Sequence, residues 1–184
     1  MLQSFDLYFV SSNKHKYEEA KKILKSFGIH LGFCKFELEE IQSDSLKEIA
    51  SNKAIDAFQK FKKPVIVEDD GLFIDSLDGF PGPYSSYVFK TIGNKGILDL
   101  LTQNRKAKFV SIVSFYDKHS SKSFVAKVHG KISKTQKGIG WGYDPIFIPE
   151  DSKKTFAEST NKNELSHRYK ALKKFANWYL HEQK

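Results

Sequence analysis

Pro64-Val65-Ile66-Val67-Glu68-Asp69-Asp70-Gly71 is an apolar strand pattern that runs into three consecutive carboxylates and then a glycine. A strand of this kind, buried at its start and acidic at its end, is suited to hold a divalent cation at the rim of a sheet. Two carboxylates about 4 Å apart repel by roughly 4 kcal/mol at a surface-like dielectric, so a cation must sit among them or they must point apart. Strand alternation sends Glu68 and Asp70 to one side and Asp69 to the other. Magnesium is typically held by one or two carboxylates plus phosphates and waters, so Asp69 with one of the upstream acids Glu37, Glu39 or Glu40 would suffice. Asp-Asp-Gly is equally an ordinary turn sequence, which predicts a strand over 65–68 that ends in a turn.

Upstream, residues 6–11 read as a first strand, rich in Leu, Tyr, Phe and Val. Ser12 or Asn13 can cap a helix that runs to Phe27 with Ala20, Ile23, Leu24 and Phe27 on one face, and Gly28 ends it. A second strand follows over 29–36. Ser45 and Glu48 form a capping-box pattern opening a helix to Phe61, with Leu46, Ile49, Ala50, Ala57, Phe58 and Phe61 inward. This β-α-β-α-β opening predicts an α/β fold with a largely parallel central sheet.

Downstream, 78–87 reads as a Gly/Pro/Ser loop and 95–102 as a helix. The period then changes: 109–116 and 124–129 are strands of an antiparallel hairpin around Asp117-Lys-His-Ser-Ser121. Residues 145–149 form a short apolar segment. A last helix is expected over 163–181, with Leu165, Tyr169, Leu172, Ala176 and Tyr179 buried. The second half is thus mixed in strand direction and able to form its own lobe of a single domain spanning 1–184.

The 184 residues are 40% hydrophobic, enough for a real core. The single cysteine, Cys34, excludes an intrachain disulfide framework and suits a reducing compartment. No stretch approaches the ~18 apolar residues of a membrane span. The first residues lack the segments of a signal peptide, which sets the expectation of a cytoplasmic protein with no membrane partner. Net charge is +8, yet the lysines are spread along the chain and only Arg105 and Arg168 are arginines among 30 basic residues. Specific base reading leans on arginine forks, so the composition favours anionic small molecules over specific nucleic-acid binding.

Four constellations carry chemistry. Val10-Ser-Ser-Asn-Lys-His-Lys16 stands where a strand passes into a helix, and helix N-termini bind phosphate readily. Ser11 and Asn13 can donate hydrogen bonds there, and Lys16 can reach a phosphate; Gly-x-x-x-x-Gly-Lys is absent, so this is no P-loop. The acid run is the second. In Gly138-Ile-Gly-Trp-Gly-Tyr-Asp-Pro145, alternate glycines allow close approach, two aromatics offer faces for a flat base, and Asp144 can accept N–H groups. The last is Ser166-His-Arg168, where a planar bidentate donor suits a carbonyl or phosphate. Ordinary structural roles (a capped helix, a polar turn, a packed hairpin loop, a surface arginine) compete with each. There is no Gly-x-Ser-x-Gly elbow and no paired histidine spacing for zinc.

Taken in order, Ser11-Ser-Asn-Lys-His-Lys16, Glu68-Asp-Asp-Gly-Leu72, Gly79-Phe-Pro-Gly-Pro-Tyr-Ser85, Trp141-Gly-Tyr-Asp-Pro-Ile-Phe147, Thr155-Phe-Ala-Glu158 and Asn163-Glu-Leu-Ser-His-Arg168 resemble the Ham1/inosine triphosphate pyrophosphatase family over nearly the whole chain. The resemblance implies an α/β fold with a central mixed sheet, flanking helices and two lobes around a nucleotide-binding cleft, usually as a homodimer. It implies hydrolysis of ITP, dITP and XTP to the monophosphate and pyrophosphate. Ser11, Ser12, Asn13, Lys14, His15 and Lys16 would hold the triphosphate, with Lys53 adding to them. Glu40 and Asp69 would hold Mg2+, Asp69 also accepting the proton. Trp141, Gly142, Tyr143 and Asp144 would line the base pocket, and Lys162, His167 and Arg168 would complete nucleotide recognition. Asp70, also placed at the substrate, stands where the family commonly has Ser or Thr, and Trp141 where it often has Phe. The alternatives are a basic nucleic-acid-binding module, and an enzyme of the same fold with another nucleotide preference.

Overall fold

The computed structural model describes residues 5–160 and 162–182, with only the backbone at 163. Its centre is a seven-stranded sheet. Five strands and four helices come from the first two-thirds of the chain: β1 (Leu7–Ser11), α1 (Lys14–Lys25), β2 (Leu31–Lys35), α2 (Leu46–Phe61), β3 (Val65–Ile74), β4 (Pro81–Gly82), α3 (Ser85–Thr91), α4 (Gly93–Leu100) and β5 (Lys106–Tyr116). β6 (Ser121–Ile132), β7 (Phe147–Pro149), α5 (Lys162–Leu165) and α6 (His167–Glu182) complete it. The strand order is β2-β1-β3-β5-β6-β7, with β4 pairing beside β3.

β1 runs parallel to β2, from Leu7↔Leu31 to Ser11↔Lys35, and parallel to β3 at Tyr8↔Val65. Parallel neighbours need long crossovers, which α1 and α2 supply. β3–β4 and β6–β7 are antiparallel, and the turn closed by Asp117 N–H on Ser120 O makes β5 and β6 a hairpin. The sheet is therefore mixed, as expected.

By contact density the chain divides into two compact units: Met1–Asp69, Ser111–Ala126 and Arg168–Lys184 form one, Asp70–Val110 and Lys127–His167 the other. In the first unit, one face of β1 meets Tyr17, Ala20, Ile23 and Leu24 of α1 together with Phe115 and Phe175, and Ala54 and Ala57 of α2 pack on Val10, Val65 and Val67. Val10 and Phe9 are both buried, the signature of a strand covered on two sides. The second unit has its own core around Leu72, Ile97, Phe109, Phe147 and Phe156.

Three local expectations need correction. β3 does not turn at Asp69-Asp70-Gly71; it continues to Ile74 because Leu72 and Phe73 pair with Gly82 and Pro81. The segment 78–87 is not all loop, since α3 opens at Ser85, and the following helix ends at Leu100 rather than 102. The last helix is interrupted at Ser166. Ser166, His167 and Arg168 are all buried. Three consecutive side chains span about 200° of a helix, wider than the apolar stripe of one helical face. Leu165 is consequently exposed, not buried.

Candidate active site

In the first unit, the β1–α1 junction is built by its own side chains. Ser11 Oγ accepts from Asn13 N at 3.1 Å, and Asn13 Oδ1 caps α1 by accepting from His15 N and Lys16 N. The cap consumes the amide oxygen of Asn13, so its NH2 is the group left to meet an anion. Ser12, Lys14 and His15 are exposed. Lys16 turns back and donates to Glu68 O at 3.1 Å, which ties the junction to β3.

α2 carries Lys53 to the acid run. Its Nζ donates to Asp69 Oδ1 at 2.7 Å and to Glu40 Oε1. The Lys53 and Asp69 side chains are only 11% and 12% exposed, whereas Glu40 is 59% exposed. Asp69 Oδ2 is buried and has no hydrogen-bond partner among the described residues. Buried carboxylate oxygens are normally satisfied, so this one is able to accept a proton or a hydrogen bond or to bind a cation.

Glu68 points the other way, as alternation requires. Both its oxygens accept from Arg168 Nε at 2.8 Å, Oε1 also accepts from Ser111 Oγ, and Arg168 Nη1 reaches Glu19. Glu68 and Arg168 are buried, so this is a desolvated ion pair with both partners hydrogen-bonded. The guanidinium that sequence directed to a substrate carbonyl or phosphate thus holds Glu68 and Glu19 together. Ser111 and Glu19 were not anticipated; Ser111 lies 43 residues from Glu68, and no local pattern links them.

In the second unit, Asp70 Oδ1 lies 3.8 Å from His167 Nε2. The His167 ring stacks on Phe109, with centroids 4.4 Å apart and planes 9° from parallel. Asp70 therefore faces a histidine. Asp144, buried, accepts from Lys162 Nζ at 2.6 Å. Trp141 is 43% exposed, but Tyr143 is buried: its hydroxyl donates to Ser85 O at 2.9 Å and its ring sits against Phe89 and Phe109. Burial pushes the Tyr143 phenol well above its ordinary range. Of the two aromatics in the loop, Trp141 is the one exposed and Tyr143 belongs to the core.

The 155–158 turn supports that loop. Thr155 and Glu158 form a reciprocal capping box, Thr155 Oγ1 donates to Lys137 O, and Ala157 N donates to Asp144 O. Hydrogen bonding from the Thr155 backbone holds the Glu158 carboxyl below its ordinary range.

These features define a mixed-sheet α/β protein whose first unit gathers oxygen ligands and ammonium groups suited to a polyphosphate. Over residues 7–178 the chain matches the Ham1 family, and it belongs to that family. It is 49% identical over 177 residues to the dITP/XTP pyrophosphatase of Methanopyrus kandleri, covering 93% of this chain and 94% of that one. Against the dITP/XTP pyrophosphatase of Thermococcus kodakarensis the identity is 46%, covering 94% and 96%. Among solved structures, a HAM1 protein from Coxiella burnetii superposes with a TM-score of 0.83 at 24% identity, covering 97% of this chain and all of that one, a likeness of fold. The Staphylococcus aureus Ham1 protein gives 0.72 at 27% identity, covering 96% and 100%.

Proposed function

We propose that this protein hydrolyses non-canonical purine nucleoside triphosphates, dITP, ITP and XTP, to the monophosphate and pyrophosphate. The relatives named dITP/XTP pyrophosphatase support the substrate class. The observation that carries the chemistry is Asp69, a buried acid on β3 with one oxygen on Lys53 and the other without a hydrogen-bond partner among the described residues.

Lys16, Lys53 and the donors at the start of α1 offset the roughly four negative charges of a triphosphate. Asp69 Oδ2 takes the proton of a water whose oxygen forms a bond to the α-phosphorus, while the bond from that phosphorus to the bridging oxygen breaks and pyrophosphate leaves. Oxygen donors Glu40 and Asp69, converging on one ammonium, fit a Mg2+ that is also bound by substrate phosphates. Among the described residues no cluster of three or more metal-binding side chains exists, which suits an ion shared with the substrate rather than caged by protein. When bound, the ion would polarise the phosphate oxygens and lower the pKa of water.

Trp141 offers its face to the purine, and the Asp144–Lys162 pair, His167 and Asp70 supply polar groups for its edge. A site that hydrogen-bonds a 6-oxo group leaves the 6-amino group of adenine mispaired. Arg168 acts by fixing Glu68 behind Asp69. We place this activity in the cytoplasm; no helix among the described residues is long and apolar enough to cross a membrane. A homodimer is the assembly proposed, supported by exposed large apolar side chains on and around α3, Phe80, Tyr84, Tyr87 and Ile92. Pyrophosphate release from ITP against ATP, with and without Mg2+, tests the reading.

A further inference from the structure

We infer that Asn94, the second residue of α4, is a positioning residue that fixes the Gly142 peptide and thereby sets discrimination between purine bases; this rests on reading the 138–144 loop as the base-recognising segment. Five consecutive carbonyls run from Trp141 to Pro145. Trp141 O accepts from Asp144 N, Tyr143 O from Ile146 N and Phe147 N, Asp144 O from Ala157 N, and Pro145 O from Lys137 N. These donors are backbone amides. Gly142 O accepts instead from a side chain, Asn94 Nδ2, at 3.0 Å.

Gly142 is also where the loop is least confined. Its φ is +62°, and apart from its own two chain neighbours no described residue has an atom within 4 Å of the place a Cβ would occupy. A glycine is needed there for conformation, not for space. Gly138 and Gly140 differ: a Cβ would stand 2.8 Å from the Ala157 carbonyl carbon at the first and 2.9 Å from Ala157 Cβ at the second. Packing holds those two positions, and Asn94 holds the third. On either side of Gly142 stand Trp141 and Tyr143-Asp144, so rotation of its peptide re-aims the exposed indole against the Asp144 carboxylate.

Asn94 is poorly explained as a stability element. A carbonyl can only accept, so the NH2 of Asn94 must face Gly142, which leaves Oδ1 as a buried acceptor with no hydrogen-bond partner among the described residues. A half-satisfied buried amide is costly, and an apolar side chain of similar size would fill the same volume without that acceptor.

The test compares wild type with Asn94→Leu, which keeps volume and removes the donor, and Asn94→Ala, using steady-state hydrolysis of ITP and ATP at fixed Mg2+. The expected result is a fall of about tenfold in the ratio of kcat/KM for ITP to that for ATP, through KM for ITP with kcat within about twofold. In a Trp178→Phe background, where Trp141 is the sole tryptophan, Asn94→Leu is expected to lower the indole's fluorescence anisotropy without substrate. A ratio that stays at the wild-type value in both variants overturns the inference whatever the anisotropy, as does a parallel loss on both nucleotides that tracks Tm alone. Wild-type protein inactive on ITP would remove the base-loop reading and this inference with it. Activity on ITP in wild type with unchanged selectivity in both variants removes only the role of Asn94.

Discussion

Lys53 Nζ stands 2.7 Å from Asp69 Oδ1 and binds Glu40 as well, so one ammonium joins a buried strand acid to an exposed loop acid. The cation demanded by the acid run is thus partly internal. It pairs with Asp69 Oδ1, while Oδ2, with no hydrogen-bond partner among the described residues, is the oxygen placed to accept a proton.

Replacing Asp69 by Asn removes the proton acceptor while keeping shape and a hydrogen-bonding oxygen for Lys53. Pyrophosphate release is expected to fall about a thousandfold, with circular dichroism and Tm close to wild type. Retention of a tenth or more of the activity would move the base elsewhere.

Lys53→Met strips a buried carboxylate of its partner. Urea unfolding is expected to show a loss of about 3 kcal/mol. Glu40→Gln, on the exposed side of the same ammonium, should cost under about 1 kcal/mol. Equal losses would contradict the burial difference between the two acids.

The Glu68–Arg168 pair predicts strong coupling. Arg168→Met alone leaves Glu68 buried and charged, and should cost about 4 kcal/mol. In a double-mutant cycle with Glu68→Gln the combined loss should fall short of the sum by about 2 kcal/mol. Additive losses would show that the two side chains act independently.

Glu158 carries a pH signature. Its folded carboxyl titrates below the ordinary range because the Thr155 backbone donates to it. The stabilisation is therefore fully present above the ordinary carboxylate range and is lost as pH falls through the lowered folded value. Glu158→Gln should flatten the acid limb of Tm against pH relative to wild type; an unchanged limb would mean that the capping box is not formed in solution.

Most elements were legible because their periods and caps are local. Asn13 and Ser45 cap the helices they were expected to open, although the Glu48 carboxylate accepts from Ser43 Oγ rather than closing its own capping box. The separation of Glu68 from Asp69, one on Arg168 and the other on Lys53, followed from alternation alone. What escaped was long-range. β3 continues past its acids because Leu72 and Phe73 pair with Gly82 and Pro81, and the side-chain partners of the acids, Lys53, Arg168 and His167, lie 16 to 100 residues away. The break at Ser166 arises from burial on several sides, which no helical period shows. Tyr143 looked like Trp141 in sequence, and only the Ser85 carbonyl and the surrounding rings make it core. Asn94 carries no local motif at all.

Quantifying the pyrophosphate and phosphate released from ITP, XTP, ATP and GTP by purified protein, with Mg2+ and with a chelator, decides whether the protein is a pyrophosphatase of non-canonical purine nucleotides. One pyrophosphate per ITP or XTP consumed is expected, with no free phosphate, activity on ATP and GTP lower by about a hundredfold, and none with chelator. Intact ITP and XTP in the presence of Mg2+, or single phosphate as the product, would contradict it.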